Sequence, residues 1–298
     1  MTDIAARHDE LRPLMFSIAY RMLGQVSEAE DVVQDAWLRM QNDDTVVRSA
    51  EAYASTVTTR LAIDHLRSAR VRREAYVGPW LPEPLLTTPS DADPAVRAET
   101  ADTLSMAFLV LLESLSPIER AVFVLREAFG YGYDHIAAIV EKSEANCRQI
   151  FARARSRIDE RRPRFEASRA KRDELARRFF AACEQGDLAG LERLLSADVV
   201  FYGDGGGKAP AVRRPVEGGV QVVRFLGALL RQGAAQSGRI EPVEVNGQPG
   251  ARFIDGDGHL LSVLVLDIAD GHIQAMRNVL NPDKLRHLGS PVTEPPTE

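Results

Sequence analysis

The sequence predicts a multi-domain chain, two all-α helical domains followed by an α+β cone. Three observations carry that expectation. Apolar residues recur at helical spacing in two blocks, and a proline-rich stretch separates them. A short helix, a tight turn and a longer basic helix close the second block. From about Asp173 the pattern passes to two more helices and then to short β-like runs divided by glycine-, asparagine- and aspartate-containing turns. A chain of 298 residues supports two or three compact units.

In the first block, Leu11, Leu14, Met15, Ile18, Ala19 and Met22 follow the i, i+3, i+4, i+7 spacing of an amphipathic helix, and Gly24 ends it. Ser27 with Glu30 reads as a capping box that opens a second helix. Val32, Val33, Ala36, Trp37 and Met40 are its expected buried stripe, which leaves Asp31, Gln34, Asp35 and Leu38 on other faces. A third helix, about 50–70, turns inward with Tyr53, Ala54, Val57 and Leu61 and grows basic toward its end. Residues 76–100 hold five prolines, which forbid a continuous helix. They read as an extended linker with an apolar hook, Trp80-Leu81.

The second block, 101–170, contains the start signal Ser116-Pro117-Ile118-Glu119. Ile136, Ala137, Ile139 and Val140 mark the short helix. Ser143 caps the long one, whose inward side is Ile150, Phe151, Ala154 and Ile158. The third part, 171–288, reads as two helices, then runs at Val199–Tyr202, Ile240–Val245, Ala251–Ile254, Leu260–Ile268 and Ile273–Leu280, with a helix at about 218–230. An antiparallel meander over helices is the expected cone, and 289–298 reads as a disordered tail.

Composition bounds the function classes. No apolar run reaches membrane-spanning length, and the first ten residues lack the apolar core of a secretory signal. Cys147 and Cys183 lack metal-ligand spacing and read as free thiols of a reducing, cytoplasmic compartment. The net charge of −6 disfavours a protein that holds nucleic acid unaided. Arginines nevertheless cluster at 60–73 and 148–172, which suits a protein that meets DNA with a partner's help.

Ala29-Glu30-Asp31-Val32-Val33-Gln34-Asp35-Ala36-Trp37-Leu38-Arg39 and Leu61-Ala62-Ile63-Asp64-His65-Leu66-Arg67 resemble region 2 of the extracytoplasmic-function sigma factors. That resemblance implies docking of Asp31, Gln34, Asp35 and Leu38 on the clamp of the RNA polymerase β′ subunit. It also places Arg60, Asp64, Arg67, Ser68, Arg70, Arg72 and Arg73 against the melted −10 strand, where arginine supplies both charge and a stacking plane. The competing readings are a solvated helix face and a helix end capped by arginines.

Leu115-Ser116-Pro117-Ile118-Glu119-Arg120, Tyr133-Asp134-His135-Ile136-Ala137 and the helix carrying Arg148–Arg157 resemble region 4. Ser143, Glu144, Asn146, Arg148 and Gln149 are then expected nearest the base edges of the −35 element, with Arg153, Arg155 and Arg157 on phosphates.

The third part resembles the SnoaL-like, NTF2-like fold. Trp80, Leu81, Pro82, Glu83 and Pro84 of the linker, Asp204-Gly205-Gly206-Gly207-Lys208, and Asn281-Pro282-Asp283-Lys284-Leu285 match a group of sigma factors with such an extension. The resemblance implies a chain of sigma region 2 (1–75), linker (76–100), sigma region 4 (101–170) and a regulatory domain that touches both sigma regions. Expected partners are core polymerase, through β′ and β, and promoter DNA, with a small ligand considered for the C-terminal cavity and no membrane. No cofactor, metal or catalytic residue is assigned.

Asp204–Lys208 lacks phosphate-loop spacing and reads as a flexible loop, and Asp255-Gly256-Asp257-Gly258 lacks the calcium-loop pattern and reads as a hairpin turn. Enzymes of the SnoaL-like fold use a carboxylate base. Asp204, Asp255, Asp257, His259 and His272 are the candidates, and they form no recognisable constellation. The rival class is a one-component ligand-binding or enzymatic protein with a DNA-binding headpiece.

Overall fold

A computed structural model of the chain describes residues 7–42, 49–74, 76–87, 102–160, 168–235 and 238–289. Two compact units emerge. One joins Met1–Ala75 with Leu109–Arg162, and the other joins Tyr76–Phe108 with Pro163–Glu298. The linker thus belongs with the C-terminal unit.

The helical unit starts with α1 (His8–Leu23), α2 (Val26–Gln41) and α3 (Ala50–Glu74). Leu11, Met15, Ile18, Ala19 and Met22 of α1 are buried, as are Val32, Val33, Ala36 and Met40 of α2 and Ala54, Leu61 and Leu66 of α3. Gly24 ends α1 at φ 70°, and its N–H reaches the Tyr20 carbonyl; glycine enters this left-handed region at no steric cost. The capping box expected at Ser27 and Glu30 is not what opens α2. The helix already begins at Val26, its N-cap is Gln25, and Gln25 makes no side-chain cap. Only one residue separates it from the Gly24 stop, so Ser27 lies inside the first turn.

Next come α4 (Met106–Leu112), α5 (Pro117–Glu127), α6 (Tyr133–Val140) and α7 (Glu144–Asp159). At α5 the capping box is complete. Ser116 Oγ accepts from the Glu119 N–H, and the Glu119 carboxylate accepts from the Ser116 N–H. Arg120, buried, donates to the Met22 carbonyl at 2.8 Å and to Glu113 at 2.7 Å. It satisfies an end carbonyl of α1 that has no partner inside the helix.

In the C-terminal unit, α8 (Arg169–Gln185) and α9 (Leu188–Leu194) lead into β1 (Leu195–Asp204), β2 (Val216–Glu217) and α10 (Gly219–Ala235). The strands β3 (Arg239–Val245), β4 (Gln248–Ile254), β5 (Leu260–Ala269) and β6 (His272–Val279) follow. The sheet order is β2-β1-β6-β5-β4-β3. β3 to β6 form the expected antiparallel meander, but β1 runs parallel to β6, with Phe201 opposite Met276. The sheet is therefore mixed, and the purely antiparallel expectation is corrected. One sheet face meets the helices in a core that includes Phe179, Phe180, Leu191, Leu264, Leu266 and Met276. Burying each such side chain is worth about 1.5–3 kcal/mol. Helices packed on one face of a mixed sheet make this the expected α+β unit. No helix among the described residues is long and apolar enough to cross a membrane.

Candidate functional site

Asp31, Gln34, Asp35 and Leu38 stand at i, i+3, i+4 and i+7 of α2, which places them on one face. All four are exposed, Leu38 to 48%. The opposite stripe is buried, so the orientation of this acidic and amide-bearing face is fixed by the core.

The basic end of α3 divides into engaged and solvent-facing groups. Arg60 Nε donates to the Ile139 carbonyl at 3.0 Å and Nη2 to the Ala138 carbonyl at 2.9 Å, with Glu141 at 3.2 Å. Those carbonyls form the negative end of α6. Arg67 pairs with Asp64 at 3.0 Å, and Ser68 Oγ donates to the His65 carbonyl. The side chains of Arg70, Arg72 and Arg73 lie outside the described residues.

In α7, Cys147, Ile150, Ala154 and Ile158 form the buried seam. Burial pushes the Cys147 thiol up, and Cys183 to about 12; both thiols are free. Ser143 caps the helix by accepting from the Asn146 N–H at 3.2 Å. Ser143, Glu144, Arg148, Gln149, Arg153 and Arg155 are exposed, and Asn146 is half-buried. Arg148 pairs with Glu144 at 2.8 Å, and Arg155 reaches Asp159 at 3.3 Å. Arg157 folds back toward the Ser114 carbonyl at 3.3 Å and Glu119 at 3.7 Å, so part of its bonding is spent within the unit.

The three motifs of the linker and C-terminal domain converge on Asp204. Its carboxylate is fully buried and accepts from Tyr76 Oη at 2.5 Å, the Leu81 N–H at 2.8 Å and Lys284 Nζ at 2.7 Å. The Leu280 and Asn281 N–H groups donate to its backbone carbonyl. Lys284 also donates to the Leu81 carbonyl, and its ammonium lies 4.7 Å from the Tyr76 ring centre and 4.5 Å from that of Trp80. Asn281 Nδ2 donates to Tyr76 Oη at 2.9 Å. Burial, then the Asp204 charge, raises the Tyr76 hydroxyl well above its ordinary pKa. Gly206 sits at φ 57°, where a Cβ would lie 2.2 Å from Asn281 Nδ2 and 2.8 Å from Tyr76 Oη, so the motif needs glycine there. Lys208 pairs with Asp283. The flexible-loop reading of Asp204–Lys208 is therefore corrected, because the motif starts at a buried strand end and turns tightly.

A second anchor escaped the sequence reading. Asn246 is fully buried at φ 54° in the β3–β4 turn. Its Oδ1 accepts from the Leu85 N–H at 3.0 Å, and its Nδ2 donates to the Leu104 carbonyl at 2.9 Å. Its own N–H donates to the Leu85 carbonyl, and the Thr87 N–H donates to the Glu244 carbonyl. Leu86 bridges Val245 on the edge of β3. Asn246-Gly247 signalled a turn, and nothing local signalled the linker.

Of the catalytic candidates, Asp255, Asp257 and His259 meet in one hairpin, with His259 Nδ1 3.2 Å from the Asp255 carboxylate, while Asp204 and His272 lie on other elements. Asp204 already takes three donors. Asp255 accepts the Asp257 and His259 N–H groups in an exposed hairpin, and His272 is exposed on another. Arg169, Asp173, Phe180, Pro242, Val243 and Glu244 line part of a groove of about 540 Å³ beside α8.

The helical unit thus presents an exposed acidic helix face and a capped helix-turn-helix with an exposed basic helix. Family comparisons sharpen this. The Sigma-70 region 2 family matches residues 8–72, and the Sigma-70, region 4 family matches residues 105–158. The chain is 38% identical to the ECF RNA polymerase sigma factor SigJ of Mycobacterium tuberculosis over 294 residues, 96% of this chain and 94% of the relative. It is 32% identical to the probable ECF RNA polymerase sigma factor SigI of the same species, over 93% of each. The crystal structure of Mycobacterium tuberculosis SigJ superposes with a TM-score of 0.75 at 36% identity, covering 97% of this chain and 99% of that one. The chain belongs to the extracytoplasmic-function RNA polymerase sigma factors. The rival reading as a one-component ligand-binding or enzymatic protein is not favoured, because these relatives are transcription regulators.

Proposed function

We propose that the α2 face Asp31, Gln34, Asp35 and Leu38 docks on the β′ clamp of core polymerase. The end of α3, from Arg60 to Arg73, captures the melted −10 strand. The exposed face of α7 reads the −35 element, with region 4 seated on the β subunit. The work is cytoplasmic, beside the polymerase. The Asp204 hub holds the linker on the C-terminal domain and thereby modulates initiation, and the groove beside α8 is where a small-molecule input would enter.

The carrying observation is the single exposed face made by the four α2 residues, set in one chain with a capped and exposed α7. Transcription from a promoter library with purified core polymerase tests the reading. Protein-dependent initiation at a defined subset is expected. Initiation unchanged at every promoter by Asp204→Asn would remove the regulatory role of the hub.

A further inference from the structure

We infer that Tyr133 is a specificity-determining positioning residue for the −35 element: its ring holds the Arg148 guanidinium in the attitude from which it can read a base pair. The inference rests on the −35 reading of α7 above and adds a residue to it. Tyr133 is the first residue of α6, and Arg148 lies one turn into α7. The guanidinium carbon of Arg148 lies over the Tyr133 ring, 5.1 Å from its centre. That of Arg126, in the last turn of α5, lies 5.0 Å from the same centre. The ring is half-buried and tied to the core. It meets Phe151 edge-on, with centres 6.3 Å apart at 70°, and Phe151 stacks at 5.7 Å on the fully buried Phe123. Arg126 is fixed as well, by its bond to the Tyr131 carbonyl at 2.8 Å. Helices α5, α6 and α7 thus bring one anchored aromatic ring to one exposed arginine.

The two kinds of DNA contact make different demands on an arginine. A phosphate accepts charge from many directions, so a mobile side chain serves it well. A guanine edge offers two acceptors to a planar fork and takes it in one orientation. An arginine with 56% of its side chain exposed, held only by its own chain, sweeps a wide arc and meets that orientation seldom. Lying over Tyr133 occupies the face of the guanidinium and leaves its N–H edge for the groove. Glu144 accepts from Nη2 at 2.8 Å, which fixes rotation within the plane. The Arg126 charge at the same ring opposes collapse of Arg148 back onto the protein. The plane and angle of Arg148 are therefore set before DNA arrives, and Tyr133 sets the plane without having to touch a base.

The test measures binding of holoenzyme, made from core polymerase and the full-length chain, to −35 fragments in which each base pair is varied in turn. Arg148→Ala first identifies the base pair that Arg148 reads, as the position whose preference falls most. Tyr133→Leu and Tyr133→Met remove the ring with two different shapes, so either one that melts like the parent carries the test. Each is expected to lower the preference at that same base pair about tenfold, within the usual worth of a bidentate contact. Preferences elsewhere should stay within about twofold, and the salt dependence should be unchanged because no charge is lost. Tyr133→Phe keeps the ring and should keep the preference. In the Arg148→Ala background, Tyr133→Leu should lower no base preference further. An equal loss of affinity on every fragment, with the preference intact, would overturn the inference and leave Tyr133 as ordinary support for the fold. Loss of the preference in Tyr133→Phe would overturn it too, since the hydroxyl and not the ring would then be responsible. If Arg148→Ala lowers the preference and the Tyr133 variants do not, the positioning role falls and the −35 reading stands. If Arg148→Ala changes no base preference, base reading by Arg148 and the positioning role fall together.

Discussion

The helical unit and the C-terminal unit use polar residues in opposite ways. On α2, Asp31, Gln34 and Asp35 face solvent, where their bonding capacity is open to a partner. At the hub, Asp204 and Lys284 are 0% and 3% exposed and spend their bonds on each other, on Tyr76 and on the linker backbone. Both groups stand in the sequence as short polar motifs. One is proposed as a surface for other molecules, and the other is an internal fastening. Changing the first should cost function at constant stability, and changing the second should cost stability before anything else.

Lys284→Met breaks the comparison hardest. It leaves the Asp204 charge buried with two neutral donors and no cation, which costs about 3–5 kcal/mol. For a unit of this size that lowers Tm by about 10 °C, at roughly 2–4 °C per kcal/mol. Calorimetry of the full chain should show the loss in one transition, with the other unchanged. A shift under about 2 °C would mean that the hub is hydrated and not a fastening.

Asp31→Lys combined with Asp35→Lys probes the opposite limb. Exposed substitutions change stability by within about 0.5 kcal/mol each. Affinity for core polymerase should fall about 100-fold, or about 2.7 kcal/mol. An unchanged affinity in a titration with labelled polymerase would return this face to ordinary solvated surface.

The two limbs also differed in how legible they were. The α2 face could be read because helical periodicity is local; once Val32, Val33, Ala36 and Met40 are inside, Asp31 and Leu38 must be outside. Ser27 misled because its pattern is also local, while the start of α2 was set by the left-handed stop at Gly24 just before it. The pairing of β1 with β6 was not legible, since a strand's alternation is the same whether its neighbour runs parallel or antiparallel. Asn246 was legible as a turn and illegible as an anchor. Its partners Leu85 and Leu104 lie 161 and 142 positions away, and neither segment carries a periodic signal that reports the contact.

The smallest effects test whether the helical unit follows the same division within itself. Ser116 closes a complete capping box on α5, and Ser143 makes a single cap bond on α7. Ser116→Ala should cost about 1–2 kcal/mol and Ser143→Ala about 0.5–1 kcal/mol, by the usual worth of a cap. The order should reverse in DNA binding. In the proposed docking Ser143 sits at the end of α7 that enters the groove first, beside Glu144, Asn146 and Arg148, so loss of its cap would fray the turn proposed to meet base edges. Ser116 stands at the start of α5, away from that turn. Urea unfolding and −35 fragment binding by holoenzyme, measured on both variants, should therefore rank them oppositely. The same ranking in both assays would mean that Ser143 acts only through stability, and the N-terminal turn of α7 would lose its place as the base-reading end.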